Sequence, residues 1–204
     1  MPPDLPDVRR ATVDDLPTIQ RTLGRAFSDD PVWSWAIKKR KGLEERIGVV
    51  LGIAARLHLT HESVWMTNDG RSVAVWAPPK QWRVAPQRFL RHAPRSLWAV
   101  GLRSLPALAA LGETERRHPR GDHWYLAVLG TDPDAQGRGL ASAAMAPVLE
   151  HCDVEGSGAY LESSKEQNIA FYARHGFEVT GTIDLSRGGP RIWTMWRDPQ
   201  EPEG

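Results

Sequence analysis

Two periods of apolar residues run along this chain, and the switches between them lay out its elements. Val8 to Thr12 reads as a strand. Thr12 then caps a helix beginning near Val13, with Asp14 and Asp15 in the first turn, where the helix dipole favours acids. Leu16, Ile19, Leu23, Ala26 and Phe27 recur at helical spacing until Ser28-Asp29-Asp30-Pro31 ends the run. Val32 to Leu59 reads as a second helical region, interrupted by Gly42, Gly48 and Gly52. Ser63 to Asn68 and Arg71 to Ala77 alternate as strands around Asp69-Gly70, a hairpin signal, and Pro78-Pro79 stops the second. Lys80 to Arg120 predicts two helices split near Pro106. A helix is expected from about Gly137 to His151, bent at Pro147 where a backbone bond is lost. A loop over Asp153 to Gly158, a strand Ala159–Ser163, a short helix Asn168–His175 and strands Glu178–Leu185 and Arg191–Arg197 follow. The pattern predicts one α/β (α+β) domain over 1–198 and a disordered tail over 199–204.

The stretch HWYLAVLGTDPDAQGRGLA, His123 to Ala141, carries the most chemistry. An apolar strand passes through an Asp/Pro turn into Gln136-Gly137-Arg138-Gly139-Leu140-Ala141, and a helix follows at once. Such a junction aims unpaired N–H groups and the positive end of a helix dipole at one point, which suits a pyrophosphate. A P-loop is excluded because no Gly-x-x-x-x-Gly-Lys-Ser/Thr run exists. A Rossmann fingerprint fails at its third glycine, where Ser142 stands.

What fits is Gln-x-x-Gly-x-Ala, with Gln136, Gly139 and Ala141 at the defining positions. Here the chain resembles the GNAT superfamily of N-acyltransferases, whose acetyl-CoA signature is Arg/Gln-x-x-Gly-x-Gly/Ala between a strand and a helix. Asn168-Ile169-Ala170-Phe171-Tyr172, continuing to Gly176-Phe177, resembles the family's downstream Asn…Phe-Tyr-x-x-x-Gly-Phe element in shortened form. Further likeness reaches the puromycin N-acetyltransferase branch through Arg9–Pro17, Ala26-Phe27, Asp30-Pro31, Ser72–Trp76, Trp124–Leu126 and Gly189–Met195.

The resemblance implies a mixed central sheet of about six or seven strands flanked by helices, with an added helical segment around 80–120. It implies acetyl-CoA as co-substrate. Backbone groups of Leu129, Gly130 and Thr131 would bond the pantetheine arm, provided that this strand splays from Leu161–Ser163. Gln136, Gly137, Arg138, Gly139, Leu140, Ala141 and Ser142 would hold the pyrophosphate. An N–H near Leu129 would face the developing oxyanion. Tyr172 is the candidate acid for the departing thiolate, and Asn168, one turn earlier, would bond pantetheine or orient it. Glu162 is the candidate base, the one polar side chain on its face of an apolar strand; Asp30, Glu62, His123 and Asp132 are lesser ones.

Composition trims the alternatives. No apolar run reaches the ~18 residues of a membrane span, and the N-terminus lacks a secretory h-region, so a cytoplasmic protein is expected. A net charge of +1 gives no general pull toward nucleic acid or membrane. Between Lys80 and Arg120, however, nine Lys/Arg face two Glu. That excess reads as a solvated face, a lid over the acceptor, a contact to CoA phosphates or, without a stacking platform, an RNA contact. Cys152 stands alone and reads as a structural thiol. The seven histidines are scattered, and His58 and His61 lack a third ligand, so no metal is expected. Trp33, Trp35, Trp65 and Trp76 are expected to wall an acceptor pocket. The expected partner is a small-molecule amine, for a monomer or homodimer. A silent acyl-CoA-binding regulatory module and an enzyme acting on a protein amine are the alternatives.

Overall fold

The structure, a computed structural model, describes residues 6–37, 41–83, 92–101 and 112–201. Its strands are β1 (Val8–Arg10), β2 (Val64–Thr67), β3 (Ser72–Ala77), β4 (Trp124–Thr131), β5 (Ala159–Ser163), β6 (Glu178–Asp184) and β7 (Arg191–Arg197). They form one sheet in the order β1-β2-β3-β4-β5-β7-β6, and only β4 and β5 pair in parallel. The helices are α1 (Leu16–Ala26), α2 (Pro31–Ala36), α3 (Leu43–Leu59), α4 (Ala93–Val100), α5 (112–117), α6 (Leu140–Glu155) and α7 (Ile169–Ala173). This is the mixed sheet flanked by helices that the sequence predicts. The expected split at Pro106 and the end of the tail, 202–204, lie outside the described residues.

The sheet separates two cores. On one face Ile19, Leu23, Ile47 and Leu51 of α1 and α3 pack on Val73, Val75 and Val128. On the other, Met145, Val148 and Cys152 of α6 pack on Ala74, Trp76, Leu126 and Leu161, with Tyr172 and Phe177 at the margin. Buried Cys152 has its thiol pushed up to about 12, so it fills space rather than reacting. Thr12 opens the first helical region, where Asp15 accepts its N–H at 2.8 Å and is gripped by Arg9. That turn starts as 3-10, and the α-helix proper begins at Leu16.

The second helical region is two helices, α2 and α3. Gly48 and Gly52 do not interrupt α3, contrary to the sequence expectation; they let α1 lie against it. A Cβ at Gly48 would sit 2.3 Å from the Gln20 carbonyl oxygen, and one at Gly24 2.3 Å from that of Glu44. Neither backbone can retreat without separating the helices. Gly48→Ala is therefore expected to lower stability by about 1–3 kcal/mol, although alanine is the better helix former by about 1 kcal/mol. The urea midpoint reads this directly, and an unchanged or raised midpoint would show that the crossing is loose.

Candidate active site

The parallel pair opens partway along its length. Trp124, Tyr125 and Leu126 of β4 pair with Ala159, Tyr160 and Leu161 of β5. Beyond that point β4 runs on beside β3 alone, while Glu162 and Ser163 pair only with β7. The cause is in β4. Trp76 faces Leu126 and Val75 faces Val128, which leaves Ala127 as an extra residue. A bulge bends and twists the strand that carries it, and here it turns β4 away from β5. The edge from Ala127 to Thr131 then lines a cleft of about 510 Å³, opposite Glu162 and Ser163. Gly130 admits α1 behind this edge, since a Cβ there would meet Leu23 Cδ2 at 2.8 Å.

At the cleft mouth the chain turns into α6. Gly137 and Gly139 both adopt left-handed backbone, with φ of 76° and 75°, a region that side chains with a Cβ rarely occupy. Helix bonding starts at Ala143, which donates to Gly139, so the N–H groups of Leu140, Ala141 and Ser142 have no intrahelical acceptor. The first turn holds no acid to neutralise the dipole. Around Gly137 and Gly139 a Cβ would meet nothing within 4 Å, so the turn faces open space, as an anion cradle must. Gln136 donates from Nε2 to the Thr131 carbonyl at 3.4 Å, tying the turn to β4. Ser142 bonds His175 Nε2 at 2.9 Å, and burial lowers the pKa of that imidazole. Arg138 is exposed, and its side chain does not line the cleft.

Glu162 stands where the strands part, on the same face as Tyr125 and Tyr160. Tyr125 donates to its Oε2 at 2.7 Å and Tyr160 to its Oε1 at 3.1 Å. Those bonds favour the carboxylate, but burial outweighs them and raises the Glu162 pKa. His118, just past α5, faces the same carboxylate and stacks on Trp82 with ring centroids 3.7 Å apart. His123 lies beside His118 and is buried.

Tyr172 and Asn168 also line the cleft. Burial and the Asp30 carboxylate raise the Tyr172 pKa, so the phenol keeps its proton at neutral pH. Asp30 is itself 2% exposed. It caps α2, accepting from Val32 N at 2.9 Å and Trp33 N at 3.1 Å, and accepts from the Ser164 hydroxyl. Lys165 meets Asp29 at 2.5 Å. These two contacts tie the wall after α1 to the wall after β5. The sequence marks Ser28-Asp29-Asp30-Pro31 only as the end of the preceding helical run; neither the cap that Asp30 makes nor its reach to Ser164 is legible there.

Other expectations fall away from the site. Trp76 is fully buried in the α6-side core, and Trp65 packs against that core. Trp33 packs on the α1/α3 side, and Trp35 beside Ile183 and Leu185. The four tryptophans therefore do not wall one pocket: Trp65 and Trp76 pack on the α6 face of the sheet, Trp33 on the α1/α3 face, and Trp35 in a third cluster. Glu62 is exposed and pairs with Arg10 at 2.5 Å. Asp132 caps the turn before Gln136 and meets Arg25, clear of the cleft. Among the described residues no helix is long and apolar enough to cross a membrane, and no three His, Cys, Asp or Glu side chains gather as a metal site.

A mixed sheet splayed at its parallel pair, with a left-handed glycine turn feeding a helix at the opening, is the architecture of an N-acyltransferase. The family model of the Acetyltransferase (GNAT) family matches residues 61–177, and the chain belongs to that family. It is a GNAT N-acetyltransferase, a class that uses acetyl-CoA as co-substrate. An uncharacterized N-acetyltransferase of Schizosaccharomyces pombe is 25% identical to it, across 94% of this chain and 83% of the relative. The structure of histone acetyltransferase HPA2 and related acetyltransferase from Corynebacterium glutamicum aligns with a TM-score of 0.70 at 23% identity, covering 98% of this chain and all of that one. Drosophila melanogaster polyamine N-acetyltransferase, which catalyses formation of N-acetylagmatine, aligns at 0.62 and 16% identity, covering 94% and 99%.

Proposed function

We propose that the protein moves the acetyl group of acetyl-CoA to a primary amine of a small molecule, by direct attack in a ternary complex. One observation carries this reading: Glu162 and Tyr172 line the same cleft as the opened β4 edge. The N–H groups of the turn from Gln136 to Ser142 suit the pyrophosphate, and the free edge of Leu129, Gly130 and Thr131 suits pantetheine, which pairs as an added strand does. Asn168, beside that path, suits a pantetheine amide. Acetyl-CoA supplies an activated thioester. Glu162 takes the amine proton, an N–H near Leu129 faces the carbonyl oxygen, and Tyr172 donates to the sulfur. Burial disfavours a free thiolate as it disfavours a phenolate, so both groups hold a proton more tightly in the cleft than in water. No cysteine is needed as a nucleophile.

The likeness to puromycin N-acetyltransferases supports an aminonucleoside or another antibiotic-like amine as acceptor, in the cytoplasm. The polyamine N-acetyltransferase likeness supports small amines more generally. The test is thiol release from acetyl-CoA across an amine panel that includes puromycin and agmatine. Turnover of a small amine is expected; tight CoA binding with no thiol release on any amine would instead leave a silent binding module.

A pH profile follows from Glu162. Only its ionised form accepts a proton, and its pKa is raised. The acid limb of kcat/KM is therefore expected above the usual carboxylate value of about 4.3, with activity lost as pH falls through it. In Glu162→Gln that limb should vanish. A limb kept unchanged in the variant would assign the base elsewhere.

A further inference from the structure

His118 belongs to no sequence motif and His123 is only a lesser candidate base in the sequence, yet their geometry fixes where each proton sits. His123 Nδ1 lies 3.0 Å from the Gly121 carbonyl oxygen. A carbonyl only accepts, so Nδ1 carries the hydrogen, and a neutral His123 has a bare Nε2. That bare nitrogen is 2.9 Å from His118 Nε2, which must donate to it. A neutral His118 is then left with a bare Nδ1, and this atom faces Glu162 Oε1 at 4.0 Å. Both rings are neutral near pH 7, because burial holds His118 at about 4 and lowers His123 as well.

Two acceptors thus face each other with no hydrogen between them. At 4.0 Å they are too far apart to bond, but one nitrogen can sit within about 2.9 Å of both. The surroundings favour a cation there. Tyr125 and Tyr160 pack edge-to-face with His118 at 4.9 and 4.8 Å, so aromatic rings border the pair, and such surroundings suit an ammonium group. The charged and titratable groups around His118 are Glu162, Tyr125, Tyr160, His123 and Arg83, with Asp122 beside His123.

We propose that His118 Nδ1 is the second acceptor for the substrate amine: Glu162 and His118 hold its nitrogen together, and His123 positions His118 by fixing its tautomer. This rests on the acetyl-transfer reading above, and it requires an acceptor with at least two N–H bonds, as a primary amine has. An incoming ammonium gives one proton to this pair, which frees the lone pair for attack on the thioester carbonyl. The N–H bonded to the other acceptor orients that attack. As the C–N bond forms and the C–S bond breaks, the thiolate takes the Tyr172 proton and the amide nitrogen gives up a second proton to the pair. One of the two protons restores the phenol through solvent, and the other is released.

Nitrogen NMR of the full chain with labelled histidine tests the tautomers without any substrate. The Nε2–H form of His118 and the Nδ1–H form of His123 are expected; the Nδ1–H form of His118 would overturn the proposal whether or not the enzyme turns over. Kinetics with an amine that the wild type acetylates test the contact itself. His118→Phe keeps a ring for Trp82 but removes the acceptor, and is expected to raise the amine KM roughly tenfold while the acetyl-CoA KM stays within about twofold. His118→Asn, with an amide oxygen near the Nδ1 position, should recover part of that loss. His118→Phe with amine kcat/KM within about twofold of wild type would refute the proposal and leave the acetyl-transfer reading intact. A wild type that acetylates no amine would overturn that reading and the present proposal with it, whatever the tautomers.

Discussion

Tyr172→Phe is expected to slow acetyl transfer by about 10²- to 10⁴-fold, the usual range for removal of a general acid or base, with acetyl-CoA affinity nearly unchanged. The ring contributes to the α6-side core through its apolar face, and phenylalanine keeps that face. Only the hydroxyl is lost, the group proposed to protonate the departing sulfur. The fold should survive, because no hydrogen bond from this hydroxyl holds one element to another among the described residues. Single-turnover thiol release and calorimetric binding of acetyl-CoA separate the two effects. A rate within threefold of wild type would remove Tyr172 from the chemistry. An equal loss of affinity and rate would make it a binding residue instead.

Gly139→Val is expected to weaken acetyl-CoA binding by at least about 100-fold while the protein stays folded. Gly139 holds φ at 75° as the residue before α6, and a β-branched side chain is a genuine outlier there. The chain relieves the strain by rotating the turn, which scatters the N–H groups of Leu140, Ala141 and Ser142. Each hydrogen bond to a charged phosphate contributes about 1.5–3 kcal/mol, so losing even two accounts for the expected factor. The fold tolerates the change because a Cβ at this position meets no neighbour within 4 Å. Calorimetry with CoA, beside a thermal melt, checks both halves. Wild-type affinity in a folded variant would move the pyrophosphate away from this turn.

The sequence was most legible where the physics is local. Asp69-Gly70 joins β2 and β3 as its hairpin signal predicts, and Gln136 to Ala141 forms a strand-to-helix turn with its glycines left-handed. Glu162 could be singled out because strand alternation sets it apart from Leu161 and Ser163. Legibility failed where a residue's role depends on a distant one. Gly48 resembles a helix breaker until Gln20 is seen against it. His118 is one of seven scattered histidines until the chain returns through β5 and places Glu162 beside it. The tryptophans misled for the same reason, since proximity in sequence does not say which face of the sheet each one covers.

The bulge at Ala127 has a consequence for how such an enzyme can change. On one side of it β4 contributes Tyr125 to the Glu162 carboxylate; on the other it offers the backbone edge suited to a thioester donor. Because the extra residue resets the alternation, these two stretches of one strand keep independent side-chain registers. On the proposed mechanism, substitutions at or before Leu126 are expected to remodel what is acetylated without disturbing what supplies the acetyl group. A chimera that exchanges 112–126 for the matching segment of another family member should therefore inherit its acceptor preference and keep its original donor affinity.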